Sequence, residues 1–193
     1  MDGVIVDFTQ GLFTQHNIPS NLYDLRPNLR GRFLKGEDFE MSEKDFWKGM
    51  EHVFWTGLQW TTDGKQILQT LESAVGQSNV CLLSSPPPIP SDPETKHLIA
   101  QSITGKMDWI EKHLPAYFYE RRFLFGACKE FCTNPNHVLV DDADHNIQTF
   151  SKAGGQSFLI PRLWNTLHPY IGKHNTLKDL HDYLHNRKGS QTL

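Results

Sequence analysis

The segment Val138-Leu139-Val140-Asp141-Asp142-Ala143-Asp144-His145-Asn146 sets two adjacent carboxylates directly after an apolar run. Such neighbours repel each other unless a cation or protons intervene. A hard divalent cation such as Mg²⁺ suits one or two carboxylates plus water and phosphate oxygens. The competing reading is structural: Asp142 and Asp144 cap the helix that follows, and Asp141 is solvated. A second segment, Leu82-Leu83-Ser84-Ser85-Pro86, ends an apolar run in small hydroxyl residues. A Ser hydroxyl with nearby backbone N–H groups can hold a phosphate oxygen, although an ordinary strand-to-loop turn is the simpler reading. Lys129 follows the apolar run Phe123 to Phe125. A fixed ammonium there could neutralise charge on a phosphoryl group in flight, although most lysines are simply solvated. The start, Met1-Asp2-Gly3-Val4-Ile5-Val6-Asp7-Phe8, reads on its own as a first strand that alternates poorly.

These residues need elements to position them. Four short apolar runs read as buried strands: Asn79 to Ser84, Arg122 to Phe125, His137 to Asp141 and Ser157 to Ile160. Helical patterns lie between and after them, over Lys65 to Ala74, Lys106 to Leu114, Asp144 to Ala153 and Thr176 to Arg187. Pro115 stops the second, and Gly154-Gly155 ends the third. This alternation predicts an α/β domain, a Rossmann-like parallel sheet with helices on both faces. In such sheets ligands bind just outside the carboxyl ends of the strands. The stretch from about Thr9 to Trp60 differs. It has no clean strand pattern and is rich in aromatics: Phe13, Tyr23, Phe33, Phe39, Phe46, Trp47, Phe54, Trp55 and Trp60. Ser42-Glu43-Lys44-Asp45 resembles a helix N-cap with acid in its first turn. The expected division is a core of residues 1–8 and 61–193, with residues 9–60 as a small helical cap inserted after the first motif.

Composition bounds the function. The 193 residues suffice for one domain with a small insertion and a sizeable core. With 38% hydrophobic and 21% charged residues the chain is of globular type. A net charge of -3 argues against a duplex-coating protein, so no nucleic-acid polymer is expected as partner. No long apolar stretch predicts a membrane span, and Met1-Asp2-Gly3 opens with no signal pattern. Cys81, Cys128 and Cys132 cannot all pair with one another, which reads as reduced thiols in a cytoplasmic protein. His181 and His185 have a metal-compatible spacing on a helix, but no third ligand is evident. Cys128 and Cys132 likewise lack a matching pair. The Lys188 to Leu193 tail is polar and expected to fray. Pro86-Pro87-Pro88 reads as punctuation.

Taken in order, Asp-Gly-Val-Ile-Val-Asp-Phe at the start, a strand ending Ser-Ser-Pro, Lys129, and Val-Leu-Val-Asp-Asp-Ala-Asp-His-Asn resemble the haloacid dehalogenase-like phosphatases. Within them the chain looks most like the 5'(3')-deoxyribonucleotidase group. Phe158 to Asn165 is similar to the strand and loop after that group's acidic motif. The resemblance spans about Asp2 to Asn165. It implies a Mg²⁺-dependent phosphomonoester hydrolase acting on (deoxy)nucleoside monophosphates through an aspartyl-phosphate. It makes Asp2 the general acid and base, its backbone carbonyl a metal ligand. Ser84, Ser85 and Lys129 would bind the phosphoryl oxygens. Asp142 would be the principal metal ligand, because the spacing to Asn146 fits from there, and Asp141 its acidic partner. Phe8, Phe54 and Trp55 would wall the base or sugar, with packing as their alternative role. A homodimer is the self-association considered.

The chain departs from the pattern at one point. The family motif is a buried strand, then Asp, any residue, Asp, Gly. Met1 stands in the middle position, so the nucleophilic Asp falls outside these residues. Two readings follow. Met1 is an internal methionine of a longer enzyme, or the chain is a degenerate relative that binds nucleotide or phosphate without hydrolysing it. Either way, little or no turnover is expected from residues 1–193, and without the motif's strand Val4 to Phe8 would have to slide into its place. A further alternative is a protein-interaction module built on Trp47, Trp55 and Trp60.

Overall fold

The structure, a computed structural model, describes residues 1–19, 42–87 and 96–188. Tyr23, Phe33, Phe39, Pro88 and the tail from residue 189 lie outside the described residues. In chain order the helices are α1 (Phe8–Gln15), α2 (Glu43–Trp47), α3 (His52–Gly57), α4 (Gly64–Val75), α5 (His97–His113), α6 (Ala116–Arg121), α7 (Asp144–Lys152) and α8 (Thr176–Lys188). The strands are β1 (Leu82–Ser84), β2 (Phe123–Phe125), β3 (Val138–Asp141) and β4 (Gln156–Leu159). All four apolar runs are strands, and the structure is mixed α/β. Its described residues form two parallel pairs, β1 with β2 and β3 with β4.

The chain divides into two compact units. The first comprises Met1–Val6, Trp60–Cys81 and Lys129–Leu193; the second comprises Asp7–Gln59 and Leu82–Cys128. The expected division set residues 9–60 apart. The described residues 9–19 and 42–59 share a unit with β1, α5, α6 and β2, and Trp60 falls in the first unit.

In the first unit, β3 and β4 run side by side with Val138 opposite Gln156 and Asp141 opposite Leu159. Helix α4 buries Ile67 and Leu68, and α8 buries Leu180 and Leu184, through the apolar spacing read from the sequence. The start of the chain is not a strand. The amides of Val4, Ile5 and Val6 all point at the Met1 carbonyl, 3.0–3.3 Å away, and Gly3 N–H donates to Val6 O at 2.8 Å. Met1, Val4, Ile5 and Val6 are buried in this turn. Their amides are engaged locally, so the segment adds no ladder to a sheet. Val4 to Phe8 does not take a strand's place either: Val6 makes one bridge to Trp60, and α1 starts at Phe8. Asp7 caps α1 by accepting from Gln10 N–H at 2.9 Å.

In the second unit, α5 is much longer than its Lys106 to Leu114 signal. Leu98, Ser102, Gly105, Lys106, Trp109 and Ile110 form one buried face at helical spacing, and its small members hide the periodicity. Gly105 lets α3 approach closely: a Cβ there would lie 2.7 Å from both His52 O and Trp55 Cβ. Trp109 fixes the same contact by donating from Nε1 to Leu58 O at 2.8 Å. Among the described residues, no helix is long and apolar enough to cross a membrane.

Candidate functional site

The acidic segment ends β3 in the first unit. Asp141 is 2% exposed and forms an ion pair with Lys129, itself 7% exposed. Its other oxygen accepts from Ala143 N–H at 2.9 Å and Asn146 Nδ2 at 3.0 Å. Burial opposes ionising Asp141. The Lys129 and Met1 ammonium groups and the bonds from Lys129 and Asn146 outweigh it and hold the carboxyl below its ordinary value. Asp142 has the opposite balance. Burial and the neighbouring Asp141 charge push it up to about 6, against the indole N–H of Trp164. That indole donates to Asp142 Oδ2 at 2.7 Å. The structural alternative therefore fails for both residues. Asp141 is not solvated, and the helix α7 carries no side-chain cap from Asp142 or Asp144. Asp144 instead accepts from Thr166, from its hydroxyl and from its N–H at 3.2 Å.

The turn at the start of the chain folds onto this cluster. Gly3 has φ +72°, and a Cβ on it would stand 2.1 Å from Asp142 Oδ2. Only glycine allows that carboxylate against the backbone. Asp2 Oδ1 is buried beside it in sequence. The Met1 α-ammonium feels Lys129, Asp2, Asp141 and Asp142; burial first, then Lys129, lowers its pKa. Thus Asp2, Asp141, Asp142 and Lys129, far apart in sequence, belong to one charged cluster. Asn146 bonds Asp141, whereas the sequence spacing had tied it to Asp142.

The donors that could meet a cation are all oxygens, which fits a hard ion. Among the described residues, no group of three or more His, Cys, Asp or Glu is arranged to hold a metal. Asp141 is engaged by Lys129, so the candidate ligands reduce to Asp142 and Asp2. That number suffices for Mg²⁺, which keeps several waters. The rings of His181 and His185 stack 3.9 Å apart on α8, with no metal-holding group of three around them among the described residues. None of Cys81, Cys128 and Cys132 forms a disulfide.

The second unit holds the remaining residues. Ser84 is 4% exposed at the end of β1, and Ser85 donates to Gly126 O at 3.3 Å. The lysine against Ser84 is Lys106, not Lys129, which belongs to the first unit. Lys106 is 1% exposed; its Nζ donates to Ser84 Oγ at 3.1 Å and Ser85 O at 2.8 Å, and lies 4.5 Å from the Trp55 ring. Phe8 stacks on Trp55 with centroids 5.5 Å apart, and Phe54 meets both edge-on. The three sequence-selected aromatics are therefore in mutual contact. Trp55 is buried and donates to Met50 O at 2.9 Å, while Phe8 and Phe54 are partly exposed.

Sequence reasoning assigned no role to Lys106, Arg162, Trp164 or Asn165. Lys106 had a legible signal, a lysine on the buried face of a helix. The other three lie in the Phe158 to Asn165 stretch, and only the tertiary fold reveals their partners. No family model matches the chain, and no curated protein matches it.

Proposed function

We propose that the chain is the body of a cytoplasmic, Mg²⁺-dependent phosphomonoester hydrolase of the haloacid dehalogenase-like type, acting on (deoxy)nucleoside monophosphates. The observation that carries this reading is the packing of the Asp2-Gly3 turn against Asp142 at the carboxyl end of a parallel strand. Residues some 140 positions apart meet where ligands bind in α/β sheets. The corresponding fold is a Rossmann-like sheet with a small helical cap, supported by two parallel strand pairs interleaved with helices. Three cysteines without a disulfide fit a reducing compartment.

In this reading Asp142 and Asp2 hold the cation, which supplies charge neutralisation between carboxylates and phosphate. Asp2 would give a proton to the leaving oxygen and later take one from water, while the phosphoryl group passes to the motif's first Asp, which residues 1–193 do not contain, and from it to that water. Ser84, Ser85 and Lys106 offer a hydroxyl and ammonium set suited to phosphoryl oxygens. Phe8, Phe54 and Trp55 offer aromatic faces and edges to a base or sugar. The substrate is a small molecule rather than a polymer.

The test is Mg²⁺-dependent thermal stabilisation by deoxynucleoside monophosphates. Saturation at 100 times Kd should add about 2.7 kcal/mol, and Asp142→Asn should abolish the Mg²⁺ dependence. Stabilisation that ignores Mg²⁺ and Asp142, or none at all, defeats the reading. A second reading is a relative that binds the nucleotide without hydrolysing it. The Lys129–Asp141 pair favours it, because that lysine's charge is matched within the protein. Nucleotide binding without phosphate release, persisting when an apolar strand and an Asp are placed ahead of Met1, would select it.

A further inference from the structure

We propose that the Pro161–Thr166 segment after β4 is the positioning element of the acidic site: Trp164 fixes the rotation of the Asp142 carboxylate, and Arg162 fixes the turn that carries Asp2. This rests on reading Asp142 and Asp2 as cation ligands.

Side chains of this one loop hold the Gly3-Val4 turn, Asp142 and Asp144. Arg162 donates from Nε to Gly3 O at 2.7 Å and from a terminal nitrogen to Val4 O at 3.1 Å. The same guanidinium grips Asp63 through two bonds of 2.9 and 2.7 Å, and donates to Pro161 O at 3.1 Å. Asp63 stands at the start of α4 yet makes no side-chain cap there; its carboxylate serves Arg162. Thr61 adds a bond from its hydroxyl to Val4 O at 2.8 Å. The turn of residues 1–6 is thus tied to α4 and to the loop, not to a sheet.

Trp164 acts on the carboxylate itself. Its N–H donates to Asp142 Oδ2 and fixes the rotation of the carboxylate that packs against Gly3. Asn165, 4% exposed, holds the Asp142 backbone by donating from Nδ2 to Asp142 O at 2.8 Å and Ile160 O at 2.7 Å. Its Oδ1 accepts from Arg162 N–H at 3.3 Å and Leu167 N–H at 3.1 Å, which locks the loop's own shape. Thr166 binds Asp144. Groups that orient ligands without touching the ion commonly change metal affinity by 10- to 100-fold. Arg162 suits its task because its planar fork serves several acceptors in one fixed geometry.

The experiment is a Mn²⁺ titration of the full chain followed by electron paramagnetic resonance, with melting temperatures measured in parallel. Trp164→Phe keeps the ring and removes the N–H. It should weaken Mn²⁺ binding about 10-fold while melting near the wild type. Arg162→Lys, which keeps the charge and loses the fork, should weaken it in the same direction. Unchanged affinity in both variants overturns the inference and leaves the cation reading standing. A wild-type chain that binds no Mn²⁺ overturns both. Should Trp164→Phe fail to fold, the indole ¹⁵N–¹H signal of Trp164 in the wild type decides. A saturable shift with Mg²⁺ supports the inference, and an unmoved signal overturns it.

Discussion

Each unit of the molecule buries a lysine, and the two are held by opposite means. Lys129 in the first unit is matched by a carboxylate, Asp141, and both are nearly inaccessible. Lys106 in the second unit reaches a hydroxyl, a backbone carbonyl and the face of an indole. An ion pair inside a protein cancels most of its own field, so Lys129 organises the acidic cluster and offers little to an incoming anion. Dipoles and a π face orient an ammonium without cancelling its charge. The first unit is therefore built around negative charge that a cation would relieve. The second sets the Lys106 ammonium beside the Ser84 hydroxyl, the Ser85 carbonyl and the Trp55 ring.

The largest test of this contrast is to remove each lysine's charge. Lys129→Met leaves Asp141 buried without its ion-pair partner and should cost about 3–5 kcal/mol. Lys106→Met keeps the apolar stem against Trp55 and leaves the Ser84 hydroxyl and the Ser85 carbonyl to re-pair, so it should cost about 1–2 kcal/mol. Urea denaturation of the two variants gives both numbers. Equal losses would break the contrast.

The same contrast explains how much of the molecule was legible in the sequence. Strands β1 to β4 announce themselves as apolar runs, because burial on both faces demands them. The Asp141-Asp142 pair and the two serines follow directly at strand ends, where chemistry in α/β folds concentrates. The start of the chain misled, because Val4-Ile5-Val6 has strand composition but its amides are satisfied by the Met1 carbonyl. The roles within the acidic pair were not readable. Which Asp meets Lys129 and which meets Trp164 is decided by side chains 12 to 23 residues away. Lys106 was missed because Ser102 and Gly105 break the apolar pattern of α5. A lysine flanked at helical spacing by Leu98, Trp109 and Ile110 was the available clue.

Next in size is the close approach of Gly3 to Asp142. Gly3→Ala adds a side chain at φ +72° and drives it into the Asp142 carboxylate. The loss should be about 1–3 kcal/mol, with a fall in Mn²⁺ affinity because the carboxylate must move. Gly57→Ala is the matched control, since a Cβ there meets nothing within 4 Å. It should leave Mn²⁺ affinity unchanged. A Gly3→Ala variant that behaves like the control would remove the turn from the site.

Asp142 gives a smaller effect of opposite sign. Its folded pKa is about 6 against an ordinary 3.8, so the folded state binds the proton more tightly than the unfolded chain does. For an acid raised in this way, stability falls as pH rises between those two values and stays low above them. Asp142→Asn removes the charge while its amide oxygen can still accept from Trp164. It should gain about 1–2 kcal/mol at pH 7–8 and nothing at pH 3. Saturating Mg²⁺ should stabilise the wild type and not the variant. A variant less stable than the wild type at pH 8 would mean that Asp142 carries no unrelieved charge.

The finest distinction lies between the two serines of the second unit. Ser84 is buried against Lys106, whereas Ser85 is more exposed and sends its hydroxyl to Gly126 O through a long 3.3 Å bond. If Lys106 and Ser84 form one oxyanion receptor, removing the Ser84 hydroxyl deletes a donor and a partner of the ammonium together. Ser84→Ala should then weaken inorganic phosphate binding by about 0.5–1.5 kcal/mol, roughly 2- to 13-fold. Ser85→Ala should change it by less than half as much, because its backbone carbonyl, not its hydroxyl, holds Lys106. Isothermal titration at low ionic strength resolves the pair. Equal effects would make both hydroxyls direct phosphate donors, and a larger effect at Ser85 would move the receptor away from Lys106.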